Sequence, residues 1–190
     1  MTNGFRSVRG GVAIDLDADE SAVLRSMAAL LLDVVDAPDE PEGPDDLAAL
    51  IGIGQEREKP ADPVLARLFP DAYGDDAEAA GDFRRYTEDG LRRHKRANAQ
   101  AVLAAVPASG GRVTLGNGDA HTWLKALNDV RLALGTRLDM DERSLESFQR
   151  GEARVAPEDA AALHIYDWLS AVQETLVQSL FGSLPPGTED

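Results

Sequence analysis

The sequence predicts a mainly α-helical bundle with a minor antiparallel sheet, made of a small N-terminal β-hairpin plus one short strand far along the chain. Three observations predict it. Apolar residues recur at helical spacing over four long stretches, 19–35, 76–106, 119–138 and 157–181. Two short segments of partial alternation, Phe5–Val8 and Val12–Leu16, flank Arg9-Gly10-Gly11, and glycine accepts the positive φ that tight hairpin turns need. Hydrophobic residues make up 43% of the 190 and aromatics only 5%, so the core is expected to be built of Leu, Val and Ala.

In chain order, Asp17-Ala-Asp-Glu20 opens the first helix, with carboxylates at the positive end of its dipole. Leu24, Met27, Ala28, Leu31 and Val34 or Val35 give that helix an apolar face. Ala37 to Gly43 is a Pro-rich acidic break and reads as a loop; Pro44 to Leu50 reads as a short helix, and 52–61 as irregular. Asp62 is placed to cap another short helix, with Pro63 at its first position and Val64, Leu65, Leu68 and Phe69 apolar, and Pro70 ends it. The longest helix starts at Asp75 or Asp76 and runs to about Val106. Its apolar face is read as Ala79, Phe83, Ala97, Ala101 and Ala105, with Leu91 and His94 beside them. Arg84, Arg85, Arg92, Arg93, Lys95 and Arg96 fall opposite, with Glu88 and Asp89 at i,i+4 spacing for pairing.

Pro107 to Gly111 breaks the chain again, and Arg112–Leu115 reads as a strand that joins the hairpin. Gly116-Asn117-Gly118 is expected to turn the chain, with Asp119 as the cap of the next helix. Trp123, Leu127, Val130, Leu134 and Leu138 form a narrow apolar stripe there, widened by Ala120 and Leu124. Met140 to Val155 is a polar connection with one turn of helix around Leu145 to Phe148. The last helix, Pro157 to Phe181, carries two apolar stripes: Ile165, Trp168, Leu169, Val172, Leu176 and Leu180, then Leu163, Tyr166, Val177 and Phe181. One helical domain is expected over 1–190, with a loop at 37–43 and a frayed tail at 182–190.

Charge and composition narrow the function. The net charge of −15 disfavours grip on a phosphate backbone by the chain as a whole. The absence of cysteine excludes disulfides, thiolate catalysis, thiol redox sensing and Cys-ligated zinc. The N-terminus lacks a signal-peptide pattern and no apolar run reaches membrane-span length, so no membrane association is expected and the expected location is cytoplasmic. No Ser/His/Asp order, nucleophile elbow, Walker A or GxGxxG pattern occurs, and His94, His121 and His164 are scattered. The reading is therefore non-enzymatic, with no catalytic residue, metal or cofactor.

Three places are candidates for contact. The basic run Arg92, Arg93, His94, Lys95, Arg96 can receive an acidic partner; the plainer alternative is a solvated or internally paired face, including docking onto the acidic segment Asp33 to Asp46. Arg131 falls inside the apolar arc of its helix, where a guanidinium must snorkel or meet a buried carboxylate. With Asn128 it marks either a polar binding site or an architectural ion pair. The second stripe of the last helix, with Tyr166, Val177 and Phe181, suits either a central core helix or a homodimer or partner interface.

The stretches Asp62-Pro-Val-Leu-Ala-Arg-Leu-Phe-Pro-Asp-Ala-Tyr73, Asp82-Phe-Arg-Arg-Tyr-Thr-Glu88 and, above all, Trp123-Leu-Lys-Ala-Leu-Asn-Asp-Val-Arg-Leu-Ala-Leu-Gly-Thr-Arg-Leu138 resemble an actinobacterial family catalogued as a domain of unknown function. One branch of that family consists of oxidative-stress transcriptional regulators of the AosR type. The N-terminal Phe-Arg-x-Val and Gly-Gly elements are also similar, so the likeness runs from Phe5 to the last helix. The resemblance implies a regulator acting with a sigma factor or RNA polymerase at stress promoters, with redox sensing through paired thiols. This chain departs from the last point, having no Cys. The expected role is a transcription-associated stress regulator working through protein contacts; the alternative is a helical adaptor module linked to protein turnover. Direct DNA contact is left open.

Overall fold

The structure is a computed structural model. It describes residues 4–36, 60–70, 77–140 and 159–181, with the side chains of 77–82, 84 and 85 set aside. The expected loop at 37–43, the helix Pro44–Leu50, the turn at Leu145–Phe148 and the tail at 182–190 lie outside the described residues. The fold is mainly helical with one small antiparallel sheet, as the sequence predicts.

Strands β1 (Arg6–Val8) and β2 (Gly11–Leu16) form the hairpin, closed by Arg9 and Gly10, with Gly10 at φ 87°. Strand β3 (Gly111–Gly116) pairs antiparallel with β2, from Gly11 opposite Gly116 to Leu16 opposite Gly111, giving the order β1-β2-β3. Val12, Ile14 and Leu16 on β2, and Val113 and Leu115 on β3, are buried beneath the helices. On the exposed surface of the sheet, Asp15 takes both Arg6 and Arg112, at 2.6 and 2.8 Å.

Helix α1 (Ala18–Asp36) begins at a reciprocal cap: Glu20 N–H donates to Asp17 Oδ1, and Asp17 N–H donates to Glu20 Oε2. Helix α2 (Pro63–Leu68) starts where Asp62 Oδ1 accepts from Val64 N–H, the cap that the Asp-Pro pair predicts. Helices α3 (Ala77–Ala105), α4 (Asn117–Arg137) and α5 (Ala160–Phe181) complete the bundle.

Two expectations are corrected. The stretch Gly116-Asn117-Gly118 is not a separate turn, and Asp119 is not the cap: β3 passes straight into α4 at Gly116, and Asp119 lies in the first helical turn. Helix α3 also buries a largely different face, of the expected one only Ala101 and Ala105 being half-buried. Phe83, Leu91, His94 and Ala97 are exposed, whereas Glu88, Ala99, Val102 and, just past the helix, Val106 are buried. The physical reason is that polar side chains on this face have partners across the core, so polarity did not mark the solvent side.

Helix α4 is the packing centre. It touches α1, α2, α3, α5 and the sheet. Trp123 is 1% exposed and meets Phe5 edge-on, with ring centroids 5.9 Å apart. Helix α5 covers the β1 side through paired bonds: Phe5 N–H donates to Thr175 Oγ1, Ser179 Oγ donates to the Phe5 carbonyl, and Ser7 Oγ donates to the Ser179 carbonyl. These bonds occupy polar groups that an edge strand would otherwise leave open. A small void between α1, α3, α4 and α5 is lined by apolar side chains such as Leu24, Leu31, Val102, Leu127 and Leu169, and offers no polar group to hold a water. No described helix is long and apolar enough to cross a membrane.

The β2–β3 register depends on Gly11, where an added Cβ would stand 2.0 Å from the Leu115 carbonyl oxygen. Gly11→Ala is expected to cost about 3 kcal/mol, the upper end for overpacking, because the obstacle is backbone that cannot rotate away. Urea denaturation followed by circular dichroism checks this; a loss below about 0.5 kcal/mol, the level of a neutral surface change, would contradict the register.

Candidate functional site

Two polar clusters interrupt the apolar core, and both involve α4. The first lies where α3 meets α1, α2 and α4. Arg92 Nε and Nη2 reach Glu88 Oε1 at 2.9 and 2.8 Å, and Glu88 is only 2% exposed. Arg92 Nη1 also donates to the carbonyl of Val35, in the last turn of α1, at 2.8 Å. One turn along, Lys95 Nζ meets Asp129 Oδ1 of α4 at 2.6 Å. The Phe69 ring sits under both cations, 4.7 Å from the Arg92 guanidinium carbon and 5.8 Å from Lys95 Nζ. Arg96 pairs with Asp36 at the end of α1. From the other side, Arg25 Nη1 donates to the carbonyls of Leu103 and Val106 at the C-terminal end of α3. The antiparallel helices α1 and α3 thus each supply an arginine to the negative end of the other's dipole.

Helical geometry therefore divides the basic run Arg92–Arg96. Arg92 and Lys95 turn inward, and Arg96 reaches Asp36, within the acidic segment that the sequence marks. Arg93 stays exposed, with Nε donating to the Asp89 carbonyl. His94 is exposed too.

The second cluster lies between α4 and α5. Arg131 Nη1 donates to Gln173 Oε1 at 3.0 Å, Nη2 lies 3.5 Å from the Tyr166 hydroxyl, and the guanidinium carbon stands 5.3 Å from the Tyr166 ring centroid. Its Nε is buried and has no partner among the described residues. Gly135 makes room for the ring: a Cβ there would stand 3.3 Å from Tyr166 Cε2. Arg131 and the carboxylate beside it in sequence do not join, since Asp129 faces α3 and Arg131 faces α5. Asn128 is exposed.

On α5, the second apolar stripe is largely used within the fold. Leu163 is buried, Tyr166 and Val177 are half-buried, and Phe181 is 69% exposed. Sequence reasoning missed Asp129 and Phe69 as parts of a polar layer. The available signal was the i,i+3 step from Ala126 to Asp129, which extends the buried arc towards α3. Among the described residues, no three His, Asp or Glu side chains gather to hold a metal.

The fold and clusters define a helical domain built around internally compensated charges, with one guanidinium set apart on its α4–α5 side. The chain belongs to the family described as a domain of unknown function (DUF2017), whose model matches residues 2–180. It is 35% identical over 178 residues to the oxidative stress regulator AosR of Mycobacterium bovis and of Mycobacterium tuberculosis, covering 86% of this chain and 79% of each relative. It is 32% identical over 178 residues to the putative oxidative stress regulator AosR of Mycobacterium leprae, covering 86% and 80%. No solved structure matches the chain.

Burial raises the Asp129 carboxyl above its ordinary value of 3.8, against the pull of Lys95. Hydrogen bonds from Arg112 and Arg6 lower Asp15 below the same value. The linkage signs are opposite. Folded Asp129 holds its proton to higher pH than the unfolded chain does, so its contribution is greatest below pH 3.8 and falls as pH rises through its folded value. Asp15 contributes stability above pH 3.8 that is lost as pH falls through its depressed value. Compared with wild type in acid urea titrations, Asp15→Asn is expected to lose part of the fall in stability at low pH. Asp129→Asn is expected to lose a decline that begins near pH 3.8 and runs upward; identical pH profiles for the two variants would refute the assignment.

The Lys95–Asp129 pair gives a second prediction. Lys95→Met leaves a buried carboxylate without its cation and is expected to cost about 3–5 kcal/mol. The double variant Lys95→Met/Asp129→Leu removes both charges and should return to within about 1 kcal/mol of wild type, since an apolar replacement of a buried pair is commonly neutral or better. Denaturant unfolding of the four members of the cycle measures the coupling; simple additivity would show that the charges do not interact.

Proposed function

We propose that the chain is a non-enzymatic regulatory protein of the stress response that works through protein contacts, with a sigma factor or RNA polymerase as its partner. The observation that carries this reading is the similarity to relatives named as oxidative stress regulators over most of both chains. The charge distribution supports protein contact over direct hold on DNA. The chain carries a net charge of −15, and Arg92, Lys95 and Arg96 of its basic run are held by Glu88, Asp129 and Asp36. A cation already paired internally releases no counterion from a phosphate backbone. The 190 residues contain no cysteine, so any signal reaches this chain by a route other than its own thiols. This role belongs in the cytoplasm.

Co-purification with actinobacterial RNA polymerase core and its sigma factors tests the reading, with promoter DNA as a separate arm across salt concentrations. The expected outcome is retention of polymerase or a sigma factor, and no DNA retention with a steep salt dependence. Retention of neither would refute the proposal. Retention of protease or chaperone subunits instead would favour an adaptor in protein turnover.

A further inference from the structure

Five cationic side chains among the described residues are half-buried: Arg25, Arg92, Lys95, Arg96 and Arg131. Three of them meet carboxylates, and Arg25 meets the carbonyls at the end of a helix, which carry the dipole's negative charge. Arg131 differs. Its contacts are an amide oxygen, a phenol and a ring face, none with a formal negative charge. This occurs in a chain where 34 acidic residues outnumber 19 Lys and Arg, so shortage of carboxylates is not the cause. Asp167 and Glu174 adjoin Tyr166 and Gln173 in sequence but are exposed on the outer side of α5, and neither reaches Arg131.

A guanidinium has five N–H donors. Two are engaged by Gln173 and Tyr166, and the buried Nε–H has no acceptor among the described residues. Each Nη keeps one further N–H beyond these contacts, and a carboxylate oxygen is the acceptor that an arginine N–H binds most strongly. Gln173 and Tyr166 hold the guanidinium plane in place before any ligand arrives, which lowers the ordering cost of binding.

We infer that Arg131, positioned by Gln173 and Tyr166, is a carboxylate-binding site for an acidic side chain of the protein partner. This rests on the reading of the chain as a regulator acting through protein contacts. The partner's acidic group stands on a neutral or basic surface, because a second strongly acidic surface would be repelled by this chain's net charge of −15.

The test follows the side-chain amide signals of Gln173 by NMR in the ¹⁵N-labelled full chain at low salt. The probes are a blocked Lys-Ala-Glu-Ala-Lys peptide, the same peptide with Gln replacing Glu, and succinate. The Glu peptide is expected to shift the Gln173 signals saturably and the Gln peptide to leave them in place. Arg131→Gln is expected to weaken the response at least tenfold, and Arg131→Lys, which keeps the charge but loses the guanidinium, to weaken it less. Circular dichroism melts establish that both variants are folded; if Arg131→Gln unfolds, the Arg131→Lys comparison decides. The same response in wild type and Arg131→Lys, or none in wild type, overturns the site. Saturation by succinate without response to the Glu peptide overturns the assignment to a partner side chain. A wild-type chain that responds to the Glu peptide but retains neither polymerase nor sigma factor removes the proposed function and leaves the carboxylate site standing. Polymerase retention unchanged in folded Arg131→Gln removes the site's role and leaves the function.

Discussion

Asp129 is buried on the central helix, and the rest of the bundle is set by the need to answer its charge. A carboxylate taken out of water at that position costs several kcal/mol unless a cation reaches it. Lys95 does so at 2.6 Å, which fixes the rotation of α3. With Lys95 inward, the residues at helical spacing on either side, Glu88, Arg92, Ala99 and Val102, are inward as well. Arg92 is then beside the end of α1, and Arg96 lies over Asp36. The reciprocal arginine caps of α1 and α3 follow from the same rotation, since Arg25 meets the end of α3 only when the two helices lie antiparallel in this register. Phe69 fills the space between the two inward cations, so the end of α2 is drawn into the same layer.

The opposite side of α4 is organised differently. There the sheet and α5 close over Trp123 by apolar contact and by bonds between hydroxyls and strand backbone. Helix α5 binds β1 through Thr175 and Ser179, so the sheet edge is covered by a helix carrying small polar side chains. This explains the double stripe of α5. One face enters the core through Leu169, Val172 and Leu176, and part of the second packs on α4 through Tyr166 at Gly135. Glycine inside a helix costs about 1 kcal/mol relative to alanine, and here it allows the ring to approach the α4 backbone closely enough to lie under Arg131.

The elements were legible in the sequence wherever a local signal decides them. The Gly10 hairpin, the Asp17–Glu20 cap, the Asp62-Pro63 start and the Trp123 stripe are contests within a few residues, and local chemistry settles them. The face of α3 was not legible, because periodicity arguments treat Glu, Arg and Lys as solvent-facing. Glu88, Arg92 and Lys95 are inward only because Phe69, Val35 and Asp129, distant in sequence, meet them there. Arg131 was half legible. Its place on the apolar arc marked it as unusual, but Asp129, the carboxylate two residues away in sequence, is not its partner. A separation of two residues turns side chains about 200° apart on a helix, so the neighbour in sequence faces a different helix in space.

That separation has a consequence for how a protein with so many acidic groups can offer a specific site for one more. Long-range repulsion from a net charge of −15 is screened over about 8 Å at physiological ionic strength, whereas a guanidinium acts at contact distance. Had Asp129 paired with Arg131, the guanidinium would be neutralised and α3 would lose the anchor that sets its rotation. Placing the two charges on opposite sides of α4 lets one serve the fold and leaves the other free of a counter-charge. Selection for stability alone would favour an apolar residue or a paired charge at Arg131, because a half-buried cation among neutral groups is a poor use of core position. Its position beside a phenol, an amide and a helix glycine that together hold it in one orientation fits the proposed carboxylate site, and no acid among the described residues meets it.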